Sequence, residues 1–293
     1  AVGGLAGLFA AATAKGAEFA KQMSTLKAVS GASAEEMQAL AQSAKDLGSS
    51  TQFTAIQVGE LQTEFAKMGF TTQQILDSTK ATLDLAASME VDLASAASLA
   101  GSTVNAFGLE ASDTQRVVDV LAKSTSTSAL SFSDLQEALR NAAPTARATG
   151  KTIEETTAML GILANANIKG GRAGTGLAQA FLQLEKKGIT LNEAFKKINA
   201  SSKTMVTATE LVGDVGGRAL EVLASNASEL EEETGTLYDG LIKATGAAEA
   251  MAEIRLDNLE GDTTKLSSAW EGFMLSLEDG EGIFNKAARF SVQ

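Results

Sequence analysis

Apolar residues recur along this chain at intervals of three and four, the spacing of one face of an α-helix. Residues 17–30 place Phe19, Met23, Leu26 and Val29 on one stripe, and Gly31 follows as a stop. Ser33-Ala-Glu-Glu36 opens a second segment, with Met37, Leu40, Ala44 and Leu47 inside and Gly48 closing it. Val58, Leu61, Phe65 and Met68 share a face after Thr54, and Ile153, Met159, Leu160 and Leu163 follow Thr152. Beyond residue 200, helical pieces are predicted near 208–213, 217–230, 236–260 and 262–277, the last two long. No stretch of useful length alternates apolar and polar positions as a strand would. The expected fold class is all-α, a multi-helical array.

The pattern occurs twice. Residues 53–122 lie over 132–198 with matching punctuation. Thr54-Ala-Ile-Gln57 meets Ser133-Asp-Leu-Gln136, Thr71-Thr-Gln-Gln74 meets Thr152-Ile-Glu-Glu155, and Ser112-Asp-Thr-Gln115 meets Thr190-Leu-Asn-Glu193. Each has the form of a capping box, in which a Ser or Thr oxygen and a Glu or Gln three residues on exchange bonds with backbone N–H groups. Gly69 meets Gly150, and Gly108 meets Gly188. This recurrence points to a helical scaffold grown by duplication, with two internally repeated four-helix units and long C-terminal helices. The chain divides accordingly into an apolar lead-in with helices (1–50), a duplicated core (51–200) and an acidic helical region (201–293). Three interruptions are expected. KSTSTSALS (123–131) reads as a polar linker, Pro144 should kink or end its helix near Ala143, and IKGGRAGTG (168–176) reads as a loop found only in the second unit.

Composition narrows the function. The chain has no cysteine and no histidine, which removes disulfides, thiolate metal sites and His-dependent catalysis. Any catalysis would fall to carboxylates, lysine or the single tyrosine, so a non-enzyme is expected. A net charge of −12 disfavours nucleic acid and anionic membranes. Residues 169–203 hold seven Lys/Arg against two Asp/Glu, whereas 229–281 hold three against fourteen. Such runs are ordinarily solvated faces; the alternative is that the opposite blocks pair, between repeats or between copies. The opening AVGGLAGLFAAATA is too short to span a bilayer and lacks the basic lead of a signal peptide. It reads as a flexible glycine-containing lead-in, with a membrane-active segment as the alternative. The chain does not begin with methionine, so a longer gene product is expected.

Candidate chemistry is sparse. The glycines of 170–176 lack the Lys-Ser/Thr pair of a phosphate loop, because Leu177-Ala178 follow Gly176. Anion binding at exposed N–H groups or a close helix–helix turn are the two readings of that cluster. Glu35/Glu36 and Glu154/Glu155 stand in first helical turns, where they complement the helix dipole, and Glu231–Glu233 form a solvated run. Asp257, Glu260 and Asp262 fail the calcium-loop spacing. No catalytic pair, metal site or cofactor site is selected. Two surfaces are candidates for interaction instead: a basic docking loop, Lys169, Gly170, Gly171, Arg172, Gly174 and Gly176, and an inter-chain seam, Trp270, Phe273 and Met274.

Four stretches carry a family resemblance: STQFTAIQVGELQTEFAKMGF (50–70), STVNAFGLEASDTQRVVDVLAKS (102–124), SFSDLQEALRNAAPTARATGKTIEETTAMLGILANANIKGGRAGTGL (131–177) and GAAEAMAEIRLDNLEGDTTKLSSAWEGF (246–273). Together they resemble the core region of the tail tape measure proteins of long-tailed bacteriophages, over about residues 25–275. Ala66-Lys-Met-Gly69-Phe70, Asn105-Ala-Phe-Gly-Leu109 and Ala173-Gly-Thr-Gly176 are the most specific pieces. The family more often has a small residue at Gly176 and a glycine at Asn167. The resemblance implies a structural virion protein that occupies the tail tube, sets tail length and leaves ahead of the DNA. It implies as partners other copies of itself (a homo-oligomer, with a trimer as one form), tail tube and tail-tip or baseplate proteins, and tail assembly chaperones. The host membrane is a further implied partner, and no specific nucleic-acid binding is implied. An envelope-degrading enzyme is the remaining alternative, which the missing histidine disfavours. Glycine stops this frequent read as a compact section, hence a docking or assembly domain within a longer tape measure.

Overall fold

A computed structural model describes residues 2–230 and 236–279, without the side chains of 2–9, 229, 236 and 277–279. The Glu231–Glu233 run falls outside those residues. The described chain is all-α, 83% helical with no strand. Its Cα positions group into two compact units.

The first unit joins residues up to 98 to those from 252 onward. It contains α1 (Val2–Ser30), α2 (Ala34–Ser50), α3 (Ala55–Lys67), α4 (Thr72–Met89), the start of α5 (Leu93–Phe107), the end of α13 (Ala247–Leu256) and α14 (Leu259–Asp279). The apolar stripes explain its core: Leu26, Leu40, Val58, Leu61, Phe65 and Ile75 are fully buried, so α3 lies against α1 and α2. The lead-in is not a flexible glycine stretch, since α1 runs unbroken from Val2. Alanine at eight of its positions favours that outcome. Among the described residues no helix is long and apolar enough to cross a membrane. Gly48 does not close α2, which continues to Ser50; a Cβ at Gly48 would strike the backbone of Ala55, so its smallness lets α3 start there.

The second unit covers residues 99–251. Between α5 and α13 it holds α6 (Thr114–Thr127), α7 (Phe132–Ala148), α8 (Ile153–Asn165), α9 (Gly170–Lys187), α10 (Leu191–Asn199), α11 (Thr204–Ser225) and α12 (Thr236–Ile242). α8 is buried nearly all round, Glu154, Thr156 and Thr157 included, and is touched by α6, α7, α9, α11 and α12. α7 lies along α9, and α9 along α11.

Five predicted capping boxes form as drawn, at Ser33, Thr54, Thr71, Thr152 and Thr190. Two shift. α7 is capped by Ser131 with Asp134 rather than by Ser133 with Gln136, because the ionised Asp134 accepts the Ser131 N–H at 3.1 Å. Ser112 sits inside a 3-10 turn, Ala111–Asp113, and α6 starts after it.

Six helix ends follow one scheme. The N–H groups of Phe70, Val91, Leu109, Lys151, Ile168 and Ile189 each bond the carbonyl five residues back, at 2.8–3.2 Å. The residue before each has a positive φ: Gly69, Glu90 and Gly108 in the first helix set, then Gly150, Asn167 and Gly188 in the second. These are Schellman endings, which satisfy the last carbonyls of a helix.

Two expected breaks are helical, and one expected helix is broken. The Ser/Thr run is helical to Thr127, since Ser124, Thr125, Ser126 and Thr127 each bond a carbonyl three or four residues back. Pro144 lies inside α7, which continues to Ala148. The carbonyl it leaves without a donor belongs to Arg140, and both residues are exposed, so water meets it while Ala142, Ala143 and Ala146 stay buried. The expected 236–260 helix is two, α12 and α13, broken where Gly246 takes a φ of 78°. α11 likewise breaks at Gly213, where φ is 79° and ψ is 173°.

Candidate functional site

The glycine segment 168–176 is not a loop. Lys169 is extended, and α9 begins at Gly170. The Lys169 ammonium donates to the Ala129 carbonyl at 2.6 Å. Gly171 N–H donates to the Glu137 carboxylate at 3.2 Å, so the chain's own carboxylate occupies the anion position at this helix start. Gly174 lies on the main chain of Ala138 in α7, and Gly176 faces Ala219 of α11. Glycine inside a helix carries a cost, offset here because two backbones approach where no side chain fits. Of the six segment residues, Gly170, Gly174 and Gly176 are buried, Lys169 and Gly171 are half-buried, and Arg172 is exposed. The small residues serve close helix approach, the second of the two readings.

The seam residues divide. Trp270 and Phe273 are exposed on α14, their rings 5.4 Å apart, whereas Met274 is buried. The opposite face of α14 is tied down inside its unit. Ser268 Oγ donates to the Gln52 carbonyl at 2.7 Å, and Lys15 stands 3.6 Å from the nearly buried Glu271.

The carboxylates are committed to structure. Glu36 and Glu193 close capping boxes, and bonds first from the backbone and then from the side chain of Ser33 and Thr190 hold both pKa values below the ordinary glutamate range. Glu154 reaches Arg116 at 2.5 Å, linking α8 to α6. Burial opposes the charge on Arg116, but its bonds to Glu154 and Asp113 outweigh that and raise its pKa. In the first unit an open groove of about 520 Å³ is lined by Gln22, Glu60, Glu64, Lys67 and Asp92 among others. Three of its charged groups have local tasks: Lys67 pairs with Glu64 at 2.7 Å, and Asp92 accepts from the N–H and hydroxyl of Ser95. Among the described residues no group of acidic side chains is placed to hold a metal ion, Asp257, Glu260 and Asp262 included.

One functional group escaped sequence reading. Asp119, 1% exposed on α6, accepts the N–H of Gly246 at 2.8 Å and of Ala248 at 3.0 Å, with Gln115 at 3.2 Å. It caps α13 from a distant part of the chain. The available signal was an acid inside the apolar run Val117-Val118-Asp119-Val120-Leu121.

Caps, ion pairs and close helix contacts thus account for these polar groups, and the class they define is a helical scaffold protein. Comparison with known proteins makes that specific. The family model of the phage-related minor tail proteins matches residues 41–222, and the chain belongs to that family. It is a structural component of the virion tail. The chain is also similar to the tape measure protein of Pneumococcus phage Dp-1, 30% identical over 295 aligned positions. That alignment covers 92% of this chain and 26% of the Dp-1 protein, so the chain spans about a quarter of that relative's length. No solved structure matches it.

Proposed function

We propose that this chain is a folded section of a tail tape measure protein, which lies in the tail tube, sets tail length and leaves ahead of the DNA at infection. The observation that carries this reading is the similarity to the Dp-1 tape measure protein over 92% of the chain. A helix advances about 1.5 Å per residue, so an extended helical protein converts residue count into length. In this chain α7 lies beside α9 and α9 beside α11, so residues added here thicken a bundle rather than lengthen a rod. The section is therefore an assembly or docking domain of the ruler, with tail-tip and tube proteins as partners.

In-frame deletions in the complete phage gene, scored by tail length in electron micrographs, test this. Deletions outside the region should shorten tails in proportion to the residues removed. Deletions of α7–α9 should abolish tail assembly. Proportional shortening by the α7–α9 deletion would refute the assembly-domain role.

A further inference from the structure

Glu90 stands where two local effects oppose it. It ends α4 with a φ of 54° and a ψ of 45°, the left-handed region that side chains other than Asn and Asp enter at a cost. Among the described residues only Asn167 joins it there without being glycine. Its carboxylate also sits at the negative end of the α4 dipole. What it gains is an ion pair with Arg255, near the end of α13. That pair is coupled to the start of α14. Asn258 Nδ2 donates to the Arg255 carbonyl at 2.6 Å, and Asn258 Oδ1 accepts the Gly261 N–H of the first α14 turn at 2.9 Å. Beneath this corner lies an open cleft of about 460 Å³, with Phe53, Ala87 and Glu90 on one side and Arg255, Gly261 and Thr264 on the other.

Little else holds the first half of α14. From Leu259 to Ser267 the only buried residue is Gly261, which has no side chain. Further along, Ser268, Glu271, Met274 and Leu275 are buried, and only the last two are large apolar residues. Glu271 weakens the contact. One of its oxygens lies 3.6 Å from Lys15, and the other is buried with no hydrogen-bond partner. A buried acceptor left unsatisfied opposes docking. We propose that α14 is a strap that opens from α1 and α2 while the rest of its unit stays folded, with Glu90 and Arg255 as its latch. Local openings of this kind start where few apolar contacts are buried. A residue held in an unfavourable conformation marks a place where the fold uses strain, here to hold a carboxylate against Arg255. Both latch residues are exposed, so salt reaches the pair and sets how readily the strap opens.

This inference stands without the tail assignment. Native-state hydrogen exchange of the 293-residue chain, read by mass spectrometry, compares peptides of α14 with those of α3. α14 should exchange at least about tenfold faster than α3 and depend only weakly on urea, the mark of local opening. Arg255→Ala should quicken α14 exchange roughly two- to fivefold, the effect of losing one exposed ion pair. Glu90→Gly should do the same while leaving α4 at least as protected, because glycine relieves the left-handed strain. Exchanging the charges, Glu90→Arg with Arg255→Glu, should return α14 to the parent rate. In about 1 M salt, where screening acts over roughly 3 Å, α14 of the parent chain should exchange like that of Arg255→Ala. If α14 and α3 exchange together, with one rate and one urea dependence, there is no strap. Unchanged α14 exchange in Arg255→Ala would overturn the latch, and so would a charge-swapped chain no slower than the single variants.

Discussion

Asp119 holds the N–H of Ala248 at 3.0 Å across 129 positions of sequence. A buried carboxylate on one helix thereby starts another, and the break at Gly246 becomes a designed joint rather than a gap in a long helix.

Removing that carboxylate leaves two N–H groups without acceptors. Asp119→Ala should destabilise the second unit by about 1–3 kcal/mol, the cost of unsatisfied buried donors. Asp119→Asn keeps one acceptor oxygen and should lose about half as much. Urea unfolding followed by circular dichroism measures both, and an unchanged midpoint for Asp119→Ala would contradict the cap.

The glycine segment yields a graded series. Gly174→Ala places a Cβ on the Ala138 main chain and should cost about 1–3 kcal/mol by forcing α7 and α9 apart. Gly176→Ala meets the Ala219 Cβ at 3.1 Å and should cost less, since a methyl can yield where a backbone cannot. Gly171→Ala meets Asn141 Nδ2 at 3.5 Å and Glu137 Oε2 at 3.8 Å, both ordinary contacts, and should be neutral or stabilising by about 0.5 kcal/mol through helix propensity. Equal effects at all three sites in thermal unfolding would show that helix approach is not what the glycines serve.

Asn167 has a φ of 61°, the left-handed conformation that ends α8. Asn167→Gly should therefore stabilise by a few tenths of a kcal/mol, and Asn167→Val should destabilise by about 1–2 kcal/mol. Guanidinium melts of the pair, with the opposite ranking, would overturn that expectation.

Glu36 and Glu193 bind their protons less readily in the folded chain than in the unfolded one. Their contribution to stability is thus complete above the ordinary glutamate value of 4.5 and fades as pH falls through the lower folded values. Carbon-detected NMR titration should find both midpoints below 4.5. Ser33→Ala should return Glu36 toward that value and leave Glu193 alone.

Local chemistry was legible in the sequence, and long-range chemistry was not. Thr54, Thr71, Thr152 and Thr190 could be read because a cap and its partner lie three residues apart. Ser131 was missed for Ser133 because both have a suitable partner three residues on, and only the charge on Asp134 separates them. The 168–176 segment looked like a loop because glycine content signals breaks. The reason it is helical lies on other helices, at Ala138 and Ala219. Asp119 was unreadable for the same cause, since its partners lie at Gly246 and Ala248. Trp270, Phe273 and Met274 share one helical spacing, but burial separates them: the two rings are exposed and Met274 faces inward.

The first unit is assembled from two stretches of chain, with all of residues 99–251 between them. On the ribosome α1 and α2 emerge long before α14, the helix that covers them. At about 5–20 residues per second, their shared face stays bare for roughly ten to forty-five seconds. The contiguous second unit can close during that interval. Newborn copies thus pass through a stage with one unit folded and the other still open, and during that stage they are most exposed to capture by whatever else is present in the cell.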